Sequence, residues 1–178
     1  MKTTQNNEYY HSVTFEKLAH EYIAYIKSIQ SKGPYNLFGW SFGGVLALEI
    51  AKQLTDRQNR VENLVLIDPY FDYKKVSDKL NIKEFNIHYK YSPLIKSKLN
   101  ITKILLFKSK ILSKKIPEEY PGANSLARHY IKKAKYNHLD NILKEQNIER
   151  ILLKDTHENW INNHYDISVV CNALKSIL

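Results

Sequence analysis

Tyr35-Asn36-Leu37-Phe38-Gly39-Trp40-Ser41-Phe42-Gly43-Gly44 reads as a short apolar strand, a glycine-bounded turn and the opening of a helix. Within it, Gly39-Trp40-Ser41-Phe42-Gly43 fits the G-x-S-x-G pattern of a nucleophile elbow. The requirement is steric. A serine in a strained strand-to-helix turn leaves no room for side chains two positions before and after it, so glycine is expected at both flanks. Such a turn projects Ser41 Oγ off the strand end. It also leaves the backbone N–H of Phe42 at a helix N-terminus, aimed where an oxyanion would form. The pattern alone is weak, because glycine and serine are common. Its surroundings strengthen it: Val45-Leu46-Ala47-Leu48-Glu49-Ile50-Ala51-Lys52-Gln53-Leu54 has helical periodicity and strong helix formers. The plain alternative is a glycine-rich turn carrying a solvated serine.

Working outward, Phe15, Leu18, Ala19, Tyr22, Ile23 and Ile26 follow the spacing of one apolar helical stripe, with Thr14 or Ser12 as cap. Gly33-Pro34 ends that helix before a strand over 35–38. A second strand covers 61–67 and stops at Asp68-Pro69, since proline cannot continue the ladder. Residues 70–99 are rich in Tyr and Lys and read as a lid-like insertion of short helices. A strand over 101–107, a basic loop over 108–121 and a helix over 123–146, broken near Asn137-His138, come next. A strand over 148–153, a loop over 156–163 and a closing helix over 166–178 complete the chain. Residues 1–11 read as a frayed lead-in. Short buried strands alternating with helices predict a single domain over 1–178. Its fold class is α/β, a parallel sheet with helices on both faces.

The 178 residues suffice for one domain with a sizeable core. Lys+Arg number 27 against 18 Asp+Glu, a net charge of +9. The lysines are scattered and accompany no nucleic-acid motif, so neither nucleic acid nor membrane is expected as a partner. The single cysteine, Cys171, excludes an intrachain disulfide and a cysteine metal cluster, and its apolar neighbours predict a buried helix position. The polar N-terminus is not a signal peptide, and no apolar run approaches the roughly 18 residues of a membrane span. A cytoplasmic location is the default expectation.

In a parallel sheet with right-handed crossovers, all strand C-termini share one edge, where ligands bind. Ser41, Asp68 and His157 each follow a predicted strand, so they are expected to meet there. A serine hydroxyl needs a base, and the base an acceptor that fixes its tautomer. Among His11, His20, His88, His129, His138, His157 and His164, only His157 directly follows a strand; His164 is its best competitor. Asp68 is the acid candidate and Asp72 the alternate. The order Ser41, Asp68, His157 is the nucleophile–acid–base order of α/β-hydrolases.

Residues 14–68 resemble the thioesterase domains that terminate nonribosomal peptide and polyketide synthase assembly lines. The resemblance rests on Gly33-Pro34-Tyr35, on Leu37-Phe38-Gly39-Trp40-Ser41-Phe42-Gly43-Gly44, on the Ala47/Glu49/Ala51/Leu54 helix and on Leu66-Ile67-Asp68. Beyond Asp68 it rests on element order and His157. It implies an α/β-hydrolase with a helical lid over about 70–99 and a catalytic Ser41, Asp68 and His157, with Phe42 N–H as oxyanion donor. The activity implied is release of an acyl or peptidyl chain from a carrier-protein thioester, by hydrolysis or cyclisation. No metal or cofactor is implied beyond the phosphopantetheine arm of a partner carrier protein or synthase module.

Two features depart from the family pattern. Asp155 stands two residues before His157, where the family usually has glycine. The family also has further strands ahead of the helix that begins near Thr14, so the sheet is expected to be incomplete at the N-terminus, with one oxyanion donor missing. The alternatives are a catalytically impaired or partner-dependent fragment of such a domain, and a general esterase.

Overall fold

The computed structural model describes residues 14–71, 91, 95, 98–111 and 134–177. Helix α1 (Phe15–Ile29) is capped by Thr14, whose hydroxyl accepts from the Lys17 N–H at 3.2 Å. It buries Phe15, Ala19 and Ile23, one stripe at four-residue spacing. Strand β1 (Tyr35–Trp40) leads through Ser41 into helix α2 (Phe42–Asp56). Strands β2 (Val61–Ile67) and β3 (Ile101–Ile111) precede the short helix α3 (Leu139–Ile142). Strand β4 (Ile148–Thr156), a 3-10 turn (Trp160–Asn162) and helix α4 (His164–Lys175) follow.

The strands form one parallel sheet in the order β1-β2-β3-β4. Trp40 is level with Ile67, and Ile67 with Phe107. Both faces are covered, which is why β2 is almost continuously apolar. Leu64, Leu66, Ile104 and Leu106 pack with α1 and α2 on one face. Val65, Ile67, Leu105, Phe107 and Leu153 pack with Trp160 and the α4 residue Val170 on the other. Among the described residues, β1 pairs with β2 alone. A buried carboxylate interrupts the α1/α2 core. Glu49 accepts from Gln53 Nε2 at 2.9 Å, pairs with Lys52 at 3.3 Å and accepts from the Tyr91 hydroxyl. The Tyr91 ring stacks on Phe15 with centroids 4.4 Å apart.

Several elements differ from expectation. β3 runs on through 108–111, which the sequence assigns to a basic loop. Lys108 and Ser109 are buried there and pair in register with Leu152 and Leu153. β4 extends to Thr156, and α4 starts at His164 because Asn163 Oδ1 caps the Tyr165 and Asp166 N–H groups at 3.0 and 3.3 Å. From 134 onward the expected helix over 123–146 is turns plus four-residue α3. Asn137 and His138 have φ of 51° and 65°, which a right-handed helix cannot contain. Cys171 is exposed rather than buried: it follows Val170, which already occupies the sheet-facing line of α4. The lead-in over 1–11, the first part of that helix and most of the lid over 70–99 lie outside the described residues. Of the lid, Tyr70, Phe71 and Leu99 are buried, and Tyr91 and Ile95 pack against the α1/α2 core.

Candidate active site

Ser41 joins β1 to α2 with φ 54° and ψ −122°, a conformation that costs a non-glycine residue on the order of 1–3 kcal/mol. The surroundings over-determine it. Its N–H donates to the Ile67 carbonyl at 2.9 Å, and its own carbonyl accepts from the N–H groups of Gly44 and Val45 at 3.0 and 3.3 Å. A Cβ at Gly39 would lie 2.2 Å from the Gly43 carbonyl oxygen, so the turn closes only over glycine. The expectation for Gly43 is corrected, because among the described residues a Cβ there meets nothing within 4 Å. Within the elbow, the second glycine with no room is Gly44, whose Cβ would stand 2.9 Å from Pro69 Cβ.

Asp68 also has positive φ, 44°, and its N–H donates to the Phe107 carbonyl at 2.7 Å. The elbow is thus bonded to the last residue of β2, and Asp68 to β3. His157 lies in the turn after β4. Its Nε2 is 2.9 Å from Ser41 Oγ and its Nδ1 3.1 Å from Asp68 Oδ2. A carboxylate only accepts, so the proton belongs on Nδ1 and Nε2 is left to accept from the serine hydroxyl. The Trp40 ring stands 5.8 Å from the imidazole. Burial acts to raise the Asp68 carboxyl, but hydrogen bonds from His157, Asn137 and Ser109 and the charge of His157 outweigh it and hold it below its ordinary value. Burial acts to lower His157, but the Asp68 hydrogen bond and charge, with Glu158, raise it above its ordinary value.

The structure therefore brings Ser41, Asp68 and His157 into one hydrogen-bonded line, with Phe42 beginning α2 beside them. The competing histidines among the described residues lie elsewhere. His20 Nδ1 meets Arg57 at 2.8 Å, His138 Nε2 meets the Tyr70 hydroxyl at 3.1 Å, and His164 opens α4, exposed. His11, His88, His129 and Asp72 lie outside the described residues. Asp155 does not address the imidazole. Its carboxylate accepts from the Thr156 N–H at 2.7 Å and from Asn163 Nδ2 at 3.3 Å, tightening the turn that carries His157.

Three supporting residues escape the sequence reading. Asn137 Nδ2 donates to Asp68 Oδ1 at 2.9 Å, and Lys108 Nζ donates to Asn137 Oδ1. Fully buried Asp166 accepts from the N–H groups of Lys154 and Asp155 at 2.7 and 2.9 Å, fastening α4 to the end of β4. The helix break at Asn137-His138 is the one sequence signal that points to any of them. Among the described residues, no group of three or more His, Cys, Asp or Glu is placed to hold a metal. None of their helices is long and apolar enough to cross a membrane.

The family model described as "Thioesterase domain" matches residues 4–88. N-(5-amino-5-carboxypentanoyl)-L-cysteinyl-D-valine synthase of Amycolatopsis lactamdurans is 32% identical over 187 residues, covering 97% of this chain and 5% of that protein. Non-reducing polyketide synthase PKS16 of Cladonia grayi is 46% identical over 63 residues, 35% of this chain and 3% of that one. Among solved structures, the NocB thioesterase domain from the nocardicin cluster superposes with a TM-score of 0.59 at 19% identity, over 93% of this chain and 73% of that one. Residues 4–88 thus match the thioesterase domain family, and the fold is that of the NocB thioesterase domain. The chain spans only about 5% of the length of the synthase it matches over nearly its whole length.

Proposed function

We propose that the chain is a serine thioesterase that releases an acyl or peptidyl chain from a carrier-protein thioester. The observation that carries this reading is the continuous approach of Asp68, His157 and Ser41, at 3.1 and 2.9 Å. In the proposed mechanism, His157 Nε2 takes the Ser41 proton as Oγ adds to the thioester carbonyl carbon. The tetrahedral oxyanion is met by the Phe42 N–H at the start of α2. On collapse the carbon–sulfur bond breaks, His157 returns the proton to the leaving thiolate, and the acyl group remains on Ser41. Water, or an amine or hydroxyl within the chain being released, then gives its proton to His157 as it attacks the ester; the carbon–Oγ bond breaks and His157 returns the proton to Ser41 Oγ. The partner that delivers the thioester is a carrier protein or synthase module bearing phosphopantetheine, in keeping with the synthases that the chain resembles.

The test is turnover of an acyl-pantetheine thioester, followed by thiol release on a Cys171→Ser background, since the exposed Cys171 thiol would itself titrate the reagent. Ser41→Ala should lose on the order of 10³-fold or more. Turnover of simple esters without thioesters would instead mark an esterase. Equal thioester turnover by Ser41→Ala would refute the mechanism.

A further inference from the structure

Lys108 and Asn137 are both buried. Lys108 continues the alternation of Ile104 and Leu106 along β3, a place where lysine is seldom found. Its Nζ donates to the Ala134 carbonyl at 2.7 Å and to Asn137 Oδ1. Asn137 commits its side-chain amide nitrogen to Asp68 Oδ1 at 2.9 Å and to the Pro69 carbonyl at 2.8 Å. Its backbone carbonyl accepts from the Phe71 N–H at 3.0 Å. The left-handed backbone of Asn137 turns the side chain under the end of β2.

The amide is bracketed by a donor on one side and a carboxylate, which only accepts, on the other. Turning it over would set NH₂ against Lys108 Nζ and a carbonyl oxygen against Asp68, making both contacts repulsive. We propose that Lys108 and Asn137 are positioning residues. Lys108 selects the Asn137 amide orientation, and Asn137 then holds Asp68 Oδ1, so that Oδ2 faces His157 and sets the basicity of the imidazole. Only the catalytic consequence rests on the proposed serine mechanism; the hydrogen-bond chain can be read without turnover.

Among the described residues, these charged groups act on the hydrogen-bond chain. Asp68 faces His157 and Lys108, Glu158 acts on His157, and Arg150 acts on Lys108. Burial lowers Lys108, helped by Arg150 and opposed by Asp68. Without the Asn137 donor the Asp68 charge is less compensated, so the His157 midpoint should move to higher pH.

The experiment is an NMR titration of the chain, with thioester kinetics alongside. In the unsubstituted protein, the Asn137 side-chain amide signals should shift at the His157 midpoint; signals that ignore that midpoint overturn the proposal, and no variant is needed. In Asn137→Leu the His157 midpoint should rise by roughly half a pH unit or more. Lys108→Met should move it in the same direction by less. Both variants should lose about tenfold in kcat at unchanged KM. A lower melting temperature with His157 midpoint and kcat unchanged would mean a structural role only, contradicting the proposal. Coupled titration in a chain without thioester turnover would support the positioning chain while refuting the proposed function.

Discussion

The Ser41 N–H donates to the carbonyl of Ile67 at 2.9 Å, so the strained elbow is bonded to the residue just before Asp68. A second bond, from Asp68 N–H to the Phe107 carbonyl at 2.7 Å, carries the pattern one strand further. The ladder thus continues past the strand ends, and two residues with positive φ are held at its rim. Geometry at the candidate site is an extension of sheet geometry, which is why disturbing the elbow should be felt as lost stability.

Gly39→Ala should be among the most destabilising substitutions in the chain, because its Cβ would lie 2.2 Å from a backbone oxygen that cannot step aside. Gly43→Ala should keep or raise stability, by about 0.4–1 kcal/mol, since no atom of the described residues lies within 4 Å of the new methyl and the unfolded chain loses freedom. Denaturant unfolding of the two variants checks this. A Gly43→Ala loss as large as that of Gly39→Ala would contradict the steric account.

The pH response follows from opposite shifts. Asp68 is lowered from 3.8, so its contribution to stability is present above that value and is lost as pH falls through the folded value. His157 is raised from 6.5, so its contribution is present below 6.5 and is lost as pH rises through the folded value. The melting-temperature gap between the unsubstituted chain and His157→Gln should therefore be widest between 3.8 and 6.5. In the proposed mechanism acylation needs neutral His157, so its rate should rise with a midpoint above 6.5. Asp68→Asn should lower that midpoint and cost on the order of 10⁴-fold in rate. A midpoint unmoved by Asp68→Asn would show that another group sets the basicity.

Tyr91→Phe should destabilise by roughly 1–3 kcal/mol, because buried Glu49 loses the hydroxyl that donates to Oε2. Burial and the Glu49 charge push the Tyr91 phenol well above its usual range, so it remains a donor at any working pH. A change below about 0.5 kcal/mol would mean that Glu49 finds another partner.

Phe38 is 53% exposed and Trp40 38%, both on β1, the edge strand among the described residues. An uncharged edge carrying apolar side chains invites pairing. Phe38→Lys should reduce hydrophobic-dye binding and self-association, with a stability change within about 0.5 kcal/mol. Unchanged association by sedimentation would show that this edge is not the sticky surface.

The sequence makes the sheet and the meeting of Ser41, Asp68 and His157 legible because both depend on local signals. Apolar runs mark β2, the G-x-S-x-G glycines mark a close turn (although Gly44, not Gly43, is the second one that sterics require), and Pro69 marks the end of a strand. What it hides is non-local. Lys108 reads as part of a basic loop because its partners, Ala134 and Asn137, come more than twenty residues later. Asp166 looks like an ordinary first-turn acid, yet it accepts two N–H groups from the end of β4. The helix expected over 123–146 fails at Asn137 because that side chain is spent on Asp68 and Pro69, which helical periodicity does not register.

The central claim is that Ser41 is a nucleophile activated by His157, and covalent labelling tests it most directly. A fluorophosphonate probe, followed by peptide mapping, should modify Ser41 alone. Labelling should vanish in Ser41→Ala and slow on the order of 10³-fold or more in His157→Ala. Modification of a different serine, or equal labelling of the unsubstituted chain and Ser41→Ala, would contradict the account.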